Sequence, residues 1–122
     1  MAALTMFRNA TDTVAVAKGD TIIKEGDAGD VMFVVIEGEV ALSVEGVPIE
    51  TLGEGSVIGE MGLIDSAPRS ATAVANTDCT LVPVDQKRFL FLVEQTPFFA
   101  LQIMKIMAER LRKMNALRWP NK

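Results

Sequence analysis

Residues 59–72 read GEMGLIDSAPRSAT. Within them, Met61-Gly62-Leu63-Ile64 is too brief for a full helix but long enough for one or two helical turns. The start of such a turn offers free backbone N–H groups and a partial positive field, where an anion sits well. Ten residues after Gly59 comes Arg69, whose planar fork suits a phosphate. Ser70 adds a hydroxyl, and Ala71 is small enough to let the backbone approach a ligand. Glu60 is the opposite kind of group. A carboxylate beside an anion site repels the anion unless it accepts a hydrogen bond from a neighbouring hydroxyl instead. The plain alternative is a surface turn in which Glu60 and Arg69 pair with each other.

The flanking sequence upstream is β in character. Val14–Ala17, Thr21–Lys24, Val31–Ile36, Glu39–Val44 and Pro48–Leu52 are short and rich in β-branched residues. They are separated by Lys18-Gly19-Asp20, residues 25–30, Glu37-Gly38-Glu39 and Glu45-Gly46. These are turn sequences, since glycine tolerates positive φ and Asp bonds its own backbone. Downstream of Pro68-Arg69, two more strands are predicted at Ser70–Ala75 and Cys79–Val84. Strands this short and this regularly spaced imply a sandwich or barrel. After Val84 the period changes. Asp85 is a helix N-cap for Gln86–Gln95, and Thr96-Pro97 opens a second helix. That helix carries Leu101, Met104, Met107 or Ala108, Leu111 and Met114 at helical spacing. Ile103, Ile106 and Leu117 widen the stripe, which is expected to pack mostly against the β core. Pro120 ends it. The chain is therefore a single domain over 1–122: a lead-in over 1–12, partly helical or irregular, a β region over 13–84, and helices over 85–118.

Composition narrows the function. Of 122 residues, 49% are hydrophobic and 23% charged, which fits a globular domain. The net charge of −4 makes a poor general nucleic-acid binder. Lys105, Arg110, Arg112, Lys113, Arg118 and Lys122 face one acid, Glu109, in the last stretch of the chain. This reads as a solvated helix face, or as a contact surface for a partner or an anion. There is one cysteine, Cys79, and no histidine. Zinc ligation lacks its ligands, a Ser-His or Cys-His pair is excluded, and an internal disulfide is impossible. No catalytic group is expected. No run approaches the roughly 20 apolar residues of a membrane span, and the cytoplasm is the expected compartment.

One phosphate and one ribose hydroxyl are what GEMGLIDSAPRSAT can satisfy, and a cyclic nucleotide makes that demand. Its phosphate is a singly charged diester that one arginine and backbone amides can neutralise. No Walker-type loop serves a triphosphate. The stretch resembles the phosphate-binding cassette of the cyclic-nucleotide-binding domain family, which includes catabolite-activator-type regulators, regulatory subunits of cyclic-AMP-dependent kinase and nucleotide-gated channels. The glycine pattern before it, Gly19, Ile22-Ile23, Gly26, Asp30, Met32–Ile36 and Gly38, matches as well. The resemblance covers about residues 13–118. It implies a mainly β fold with flanking helices: a double-stranded β-helix, or jelly-roll, barrel with a short cassette helix and two C-terminal helices.

Residue by residue, the resemblance implies that Glu60 accepts from the ribose 2′-hydroxyl and Arg69 pairs with the phosphate. Ser70 donates by side chain or backbone, and Ala71 by its backbone N–H. Gly59, Met61 and Gly62 lie against sugar and phosphate. The helix positions that contact the base in the bacterial regulators fall on Met114 and Asn115, where those regulators have hydroxyls, so this chain departs from the pattern. Asn115 offers a donor and an acceptor, and Trp119, Arg112 or Arg118 offers a lid by stacking or cation–π contact. Val57, Ile58, Leu42, Val44, Val74 and Leu81 are candidate pocket walls. Ser70 serves either purine, and cAMP is favoured over cGMP as the commoner ligand in bacterial-type members.

The expectation is a stand-alone, non-catalytic sensor whose C-terminal helix moves on binding and is offered to an effector protein, without direct DNA reading. A ligand-free interaction module of the same fold is the alternative. The helix is short and charged, so a monomer or weak homodimer is expected.

Overall fold

The computed structural model describes residues 6–118, with the backbone alone for 117 and 118. Eight strands and three helices follow in order: β1 (Val14–Val16), β2 (Thr21–Ile23), β3 (Met32–Glu37), β4 (Val40–Val44), β5 (Val47–Leu52), β6 (Val57–Ile58), α1 (Glu60–Asp65), β7 (Thr72–Ala75), β8 (Cys79–Val84), α2 (Gln86–Gln95) and α3 (Phe98–Arg118). The strands form two antiparallel sheets, ordered β1-β8-β3-β6 and β2-β7-β4-β5. That alternation of strands between two sheets is a jelly roll.

The two sheets have different environments, and the sequence carries the difference. Along β3, Met32 and Val34 face the helices, while Val35 faces the other sheet. β8 divides the same way, with Val82 and Val84 on one side and Cys79 and Leu81 on the other. A sheet covered on both faces needs apolar residues at consecutive positions, hence the runs MFVVIE and CTLVPV. In the second sheet only one face is buried, so β7 alternates half-buried Thr72 and Val74 with buried Ala73 and Ala75. The register of β4 on β5 shifts between Leu42 and Ser43, beside Pro48.

The helices close one face of the first sheet. Asp85 caps α2 by accepting from Arg88 N at 2.8 Å. α3 buries Phe99, Ile103 and Ile106 on that sheet, and Phe99 meets Phe7 and Phe89 edge-on at 6.3 and 5.4 Å. Phe7 thus ties the lead-in under α3.

This corrects the stripe expected on α3. Leu101, Met104, Leu111 and Met114 are exposed. The buried line runs through Phe99 and through Ile103 and Ile106, two of the residues expected to widen the stripe, with Met107 half-buried against the same core. Edge-on contacts of Phe99 with Phe7 and Phe89 accompany that rotation. Val57 and Ile58, candidate pocket walls from the sequence, are fully buried and form β6 of the first sheet. Among the described residues no single helix is long and apolar enough to cross a membrane.

Candidate functional site

A cavity of about 420 Å³ opens between α1, the strands of the second sheet and the second half of α3. All seven cassette residues expected at the ligand, Gly59, Glu60, Met61, Gly62, Arg69, Ser70 and Ala71, line it. The jelly-roll order makes this possible, because the link from β6 to β7 carries the chain from one sheet to the other across their shared end.

Arg69 is the best-defined group. It is buried, and its guanidinium donates from Nη1 to Gly59 O at 3.1 Å and from Nη2 to Val31 O at 2.8 Å. Its backbone is clasped by the turn between β2 and β3. Arg69 N donates to Asp27 O, and Gly26 N donates to Arg69 O, both at 2.8 Å. Among the described residues no carboxylate pairs with Arg69. A buried cation answered only by two carbonyl dipoles retains most of its attraction for an anion.

Three glycines shape the slot. A Cβ on Gly29 would stand 2.4 Å from Arg69 Nε, one on Gly59 2.5 Å from Nη1, and one on Gly62 2.5 Å from Gly29 O. Gly59 also takes φ 79° as the N-cap residue just before α1, a conformation that costs other residues strain.

Glu60 does not pair with Arg69, so the surface-turn alternative fails. Its carboxylate is buried and accepts from Arg110 Nη1 on α3 at 2.6 Å. The same guanidinium donates from Nη2 to Val57 O, and its Nε lies 3.5 Å from Glu50. Lys113 Nζ adds 2.6 Å to the other Glu50 oxygen. Two acids and two bases therefore bind α3 to α1, β5 and β6. The expected solvated face of this helix is corrected on this side. Arg110 continues the buried line 99, 103, 106, and a charge on that line needs a buried partner.

The outer residues divide. Leu42, Val44 and Met114 line the cavity. Val57, Ile58 and Leu81 do not; they are core, because a strand pair buried on both faces turns them into the two apolar clusters. Val74 is half-buried on β7, on the opposite side from its buried neighbours Ala73 and Ala75. Arg112 and Asn115 are exposed and absent from the lining, since the helix rotation that buries Phe99 turns them away. Trp119 and the side chain of Arg118 lie outside the described residues.

Sequence reasoning missed Gly29, Val31, Glu50 and Arg110. The helical spacing of Arg110 from Ile103 and Ile106 held a usable signal. Gly29 and Val31 had none, because their roles come from a contact across the fold.

Comparison with known proteins is consistent with this geometry. A family model described as cyclic nucleotide-binding domain matches residues 13–96. The cAMP-dependent protein kinase regulatory subunit of Eremothecium gossypii is 39% identical over 85 residues, 70% of this chain and 19% of that protein. Among solved structures, cAMP-bound PfPKA-R matches with a TM-score of 0.76 at 30% identity, over 86% of this chain and 36% of that one. The catabolite activator protein of Thermus thermophilus matches with a TM-score of 0.75 at 31% identity, over 84% of this chain and 51% of that one. The chain thus spans between a fifth and a half of the length of these relatives.

Proposed function

Since the chain belongs to the cyclic nucleotide-binding domain family, we propose that it is a non-catalytic sensor binding a purine cyclic nucleotide, cAMP in preference to cGMP, in the cavity beneath α3. The observation that carries this reading is Arg69, a buried guanidinium on the cavity lining that no carboxylate among the described residues neutralises. The cyclic phosphate takes Arg69 together with the amides that open α1 and the Ser70–Ala71 step. The ribose 2′-hydroxyl donates to Glu60, whose carboxylate has acceptor sites beyond the one Arg110 uses. The cAMP named in the related kinase subunit and in the bound relative supports the choice of adenine.

Coupling follows from the same contacts. Arg110 connects Glu60 to α3, so a ligand that engages Glu60 bears on the helix directly. It moves α3 only to the extent that it binds the two helix positions with different affinity. The exposed Leu101 and Met104 are the surface we assign to an effector protein or a weakly held second copy. The cytoplasm is the compartment we propose, in keeping with the free Cys79.

Calorimetric titration of the protein and of Arg69→Ala with cAMP and cGMP tests the reading. Wild type is expected to bind, with cAMP tighter. Losing bonds to a charged group, about 1.5–3 kcal/mol each, lowers the variant's affinity roughly tenfold to a hundredfold or more. Unchanged binding by Arg69→Ala overturns the assignment. Absence of binding by the wild type favours a ligand-free interaction module.

A further inference from the structure

Directly opposite Leu42, the inward position on β5 is Glu50. Leu42 is buried, and both side chains line the cavity. An ionised carboxylate loses its hydration in such a place, so an apolar residue is the ordinary occupant. Glu50 keeps 11% of its side chain exposed and is held by Lys113 Nζ at 2.6 Å and Arg110 Nε at 3.5 Å. These partners explain why it is tolerated there, but not why it faces a ligand cavity.

The arrangement of the lining supplies a reason. One guanidinium, that of Arg110, spans Glu60 and Glu50. Resting on the reading that Glu60 takes the ribose, the base lies beyond that guanidinium, among Leu42, Val44, Ile49, Leu111 and Met114. Those five side chains pack against a purine but offer its edge no hydrogen bond, apart from the weak thioether of Met114. Glu50 is the carboxylate on this part of the lining. A carboxylate has about four acceptor sites, and its two cations leave some of them free.

We propose that Glu50 is the specificity-determining residue for the base, accepting a hydrogen bond from the exocyclic 6-amino group of adenine. The ligand class is then the 6-aminopurine cyclic nucleotides. A 6-oxo group in the same place sets lone pair against carboxylate, a repulsive element that discriminates against hypoxanthine and guanine.

The test is titration of wild type, Glu50→Ala and Glu50→Gln with cAMP, with cIMP and with the 6-unsubstituted purine riboside 3′,5′-cyclic monophosphate. Wild type is expected to bind cAMP about tenfold to a hundredfold tighter than the 6-unsubstituted ligand, the span of one bond to a charged acceptor, and to bind cIMP no better. Glu50→Ala brings all three within about threefold of one another, and Glu50→Gln, which keeps an acceptor oxygen, falls between. If Glu50 serves only to anchor α3, its variants weaken every ligand by the same factor and the ratios persist. That result overturns the inference and leaves cyclic-nucleotide binding standing, as do equal wild-type affinities for cAMP and the 6-unsubstituted ligand. Failure of wild type to bind any of the three overturns the functional reading beneath it. Should Glu50→Ala melt below the assay temperature, Glu50→Gln carries the same comparison.

Discussion

Arg69 is held from behind by carbonyls and from the sides by glycine. The carbonyls of Gly59 and Val31 fix the tip, and Gly29, Gly59 and Gly62 leave the room it occupies. Gly29→Ala puts a methyl 2.4–2.5 Å from three guanidinium atoms, so the side chain must move. Gly29 lies in a turn with no positive φ, so the backbone tolerates alanine. The expected outcome is a loss of cyclic-nucleotide affinity of about tenfold or more, with the melting temperature lowered only by what Arg69 loses in shifting off the Gly59 and Val31 carbonyls. Calorimetry beside a thermal melt measures both. The seven cassette residues were legible in the sequence as cavity lining because they fall within one short motif, residues 59–72. Gly29 was not, since its partner lies forty residues along the chain and only the fold brings the two together.

Among elements, α3 has two jobs divided along its length. Its first half is fixed by Phe99, Ile103 and Ile106 in the core, and its second half by Arg110 and Lys113 on Glu60 and Glu50. Arg110→Leu keeps the bulk and removes the charge, leaving buried Glu60 with no cation paired to it among the described residues. Breaking a buried pair from one side costs about 3–5 kcal/mol. The loss should concentrate in the far half of the helix, seen as faster hydrogen exchange over residues 107–116, while the amides near Phe99 keep their protection. Uniform exchange along α3 would argue that the helix is anchored elsewhere. The helix itself was legible from periodicity, and so was its start at Thr96-Pro97. Its rotation was not. Met104 and Leu111 sit at spacings as regular as those of Ile103 and Ile106, and the line that goes inward is the one that meets Phe7 and Phe89 at Phe99 and Glu60 at Arg110.

For the whole molecule, ligand binding and stability are one equilibrium. A ligand that binds only the folded state stabilises it by about 2.7 kcal/mol at a hundred times its dissociation constant. For a domain of this size that raises the melting temperature by on the order of 10 °C. Scanning fluorimetry with cAMP should record that shift, and Arg69→Ala should remove about half of it or more at the same ligand concentration. The jelly roll was legible from the spacing of short strands and turns together with the family pattern. The partition of strands between sheets was visible only in retrospect, in continuous apolar runs for the doubly covered sheet and alternation for the other.

The register shift beside Pro48 bears on behaviour in a crowded solution. β5 is the outermost strand of its sheet, and an outermost strand is a template on which another chain can extend the ladder. Pro48 has no N–H to donate, and the irregularity between Leu42 and Ser43 breaks the even spacing such templating requires. With charged Glu50 pointing inward on the same strand, β5 is a poor seed for edge-to-edge aggregation.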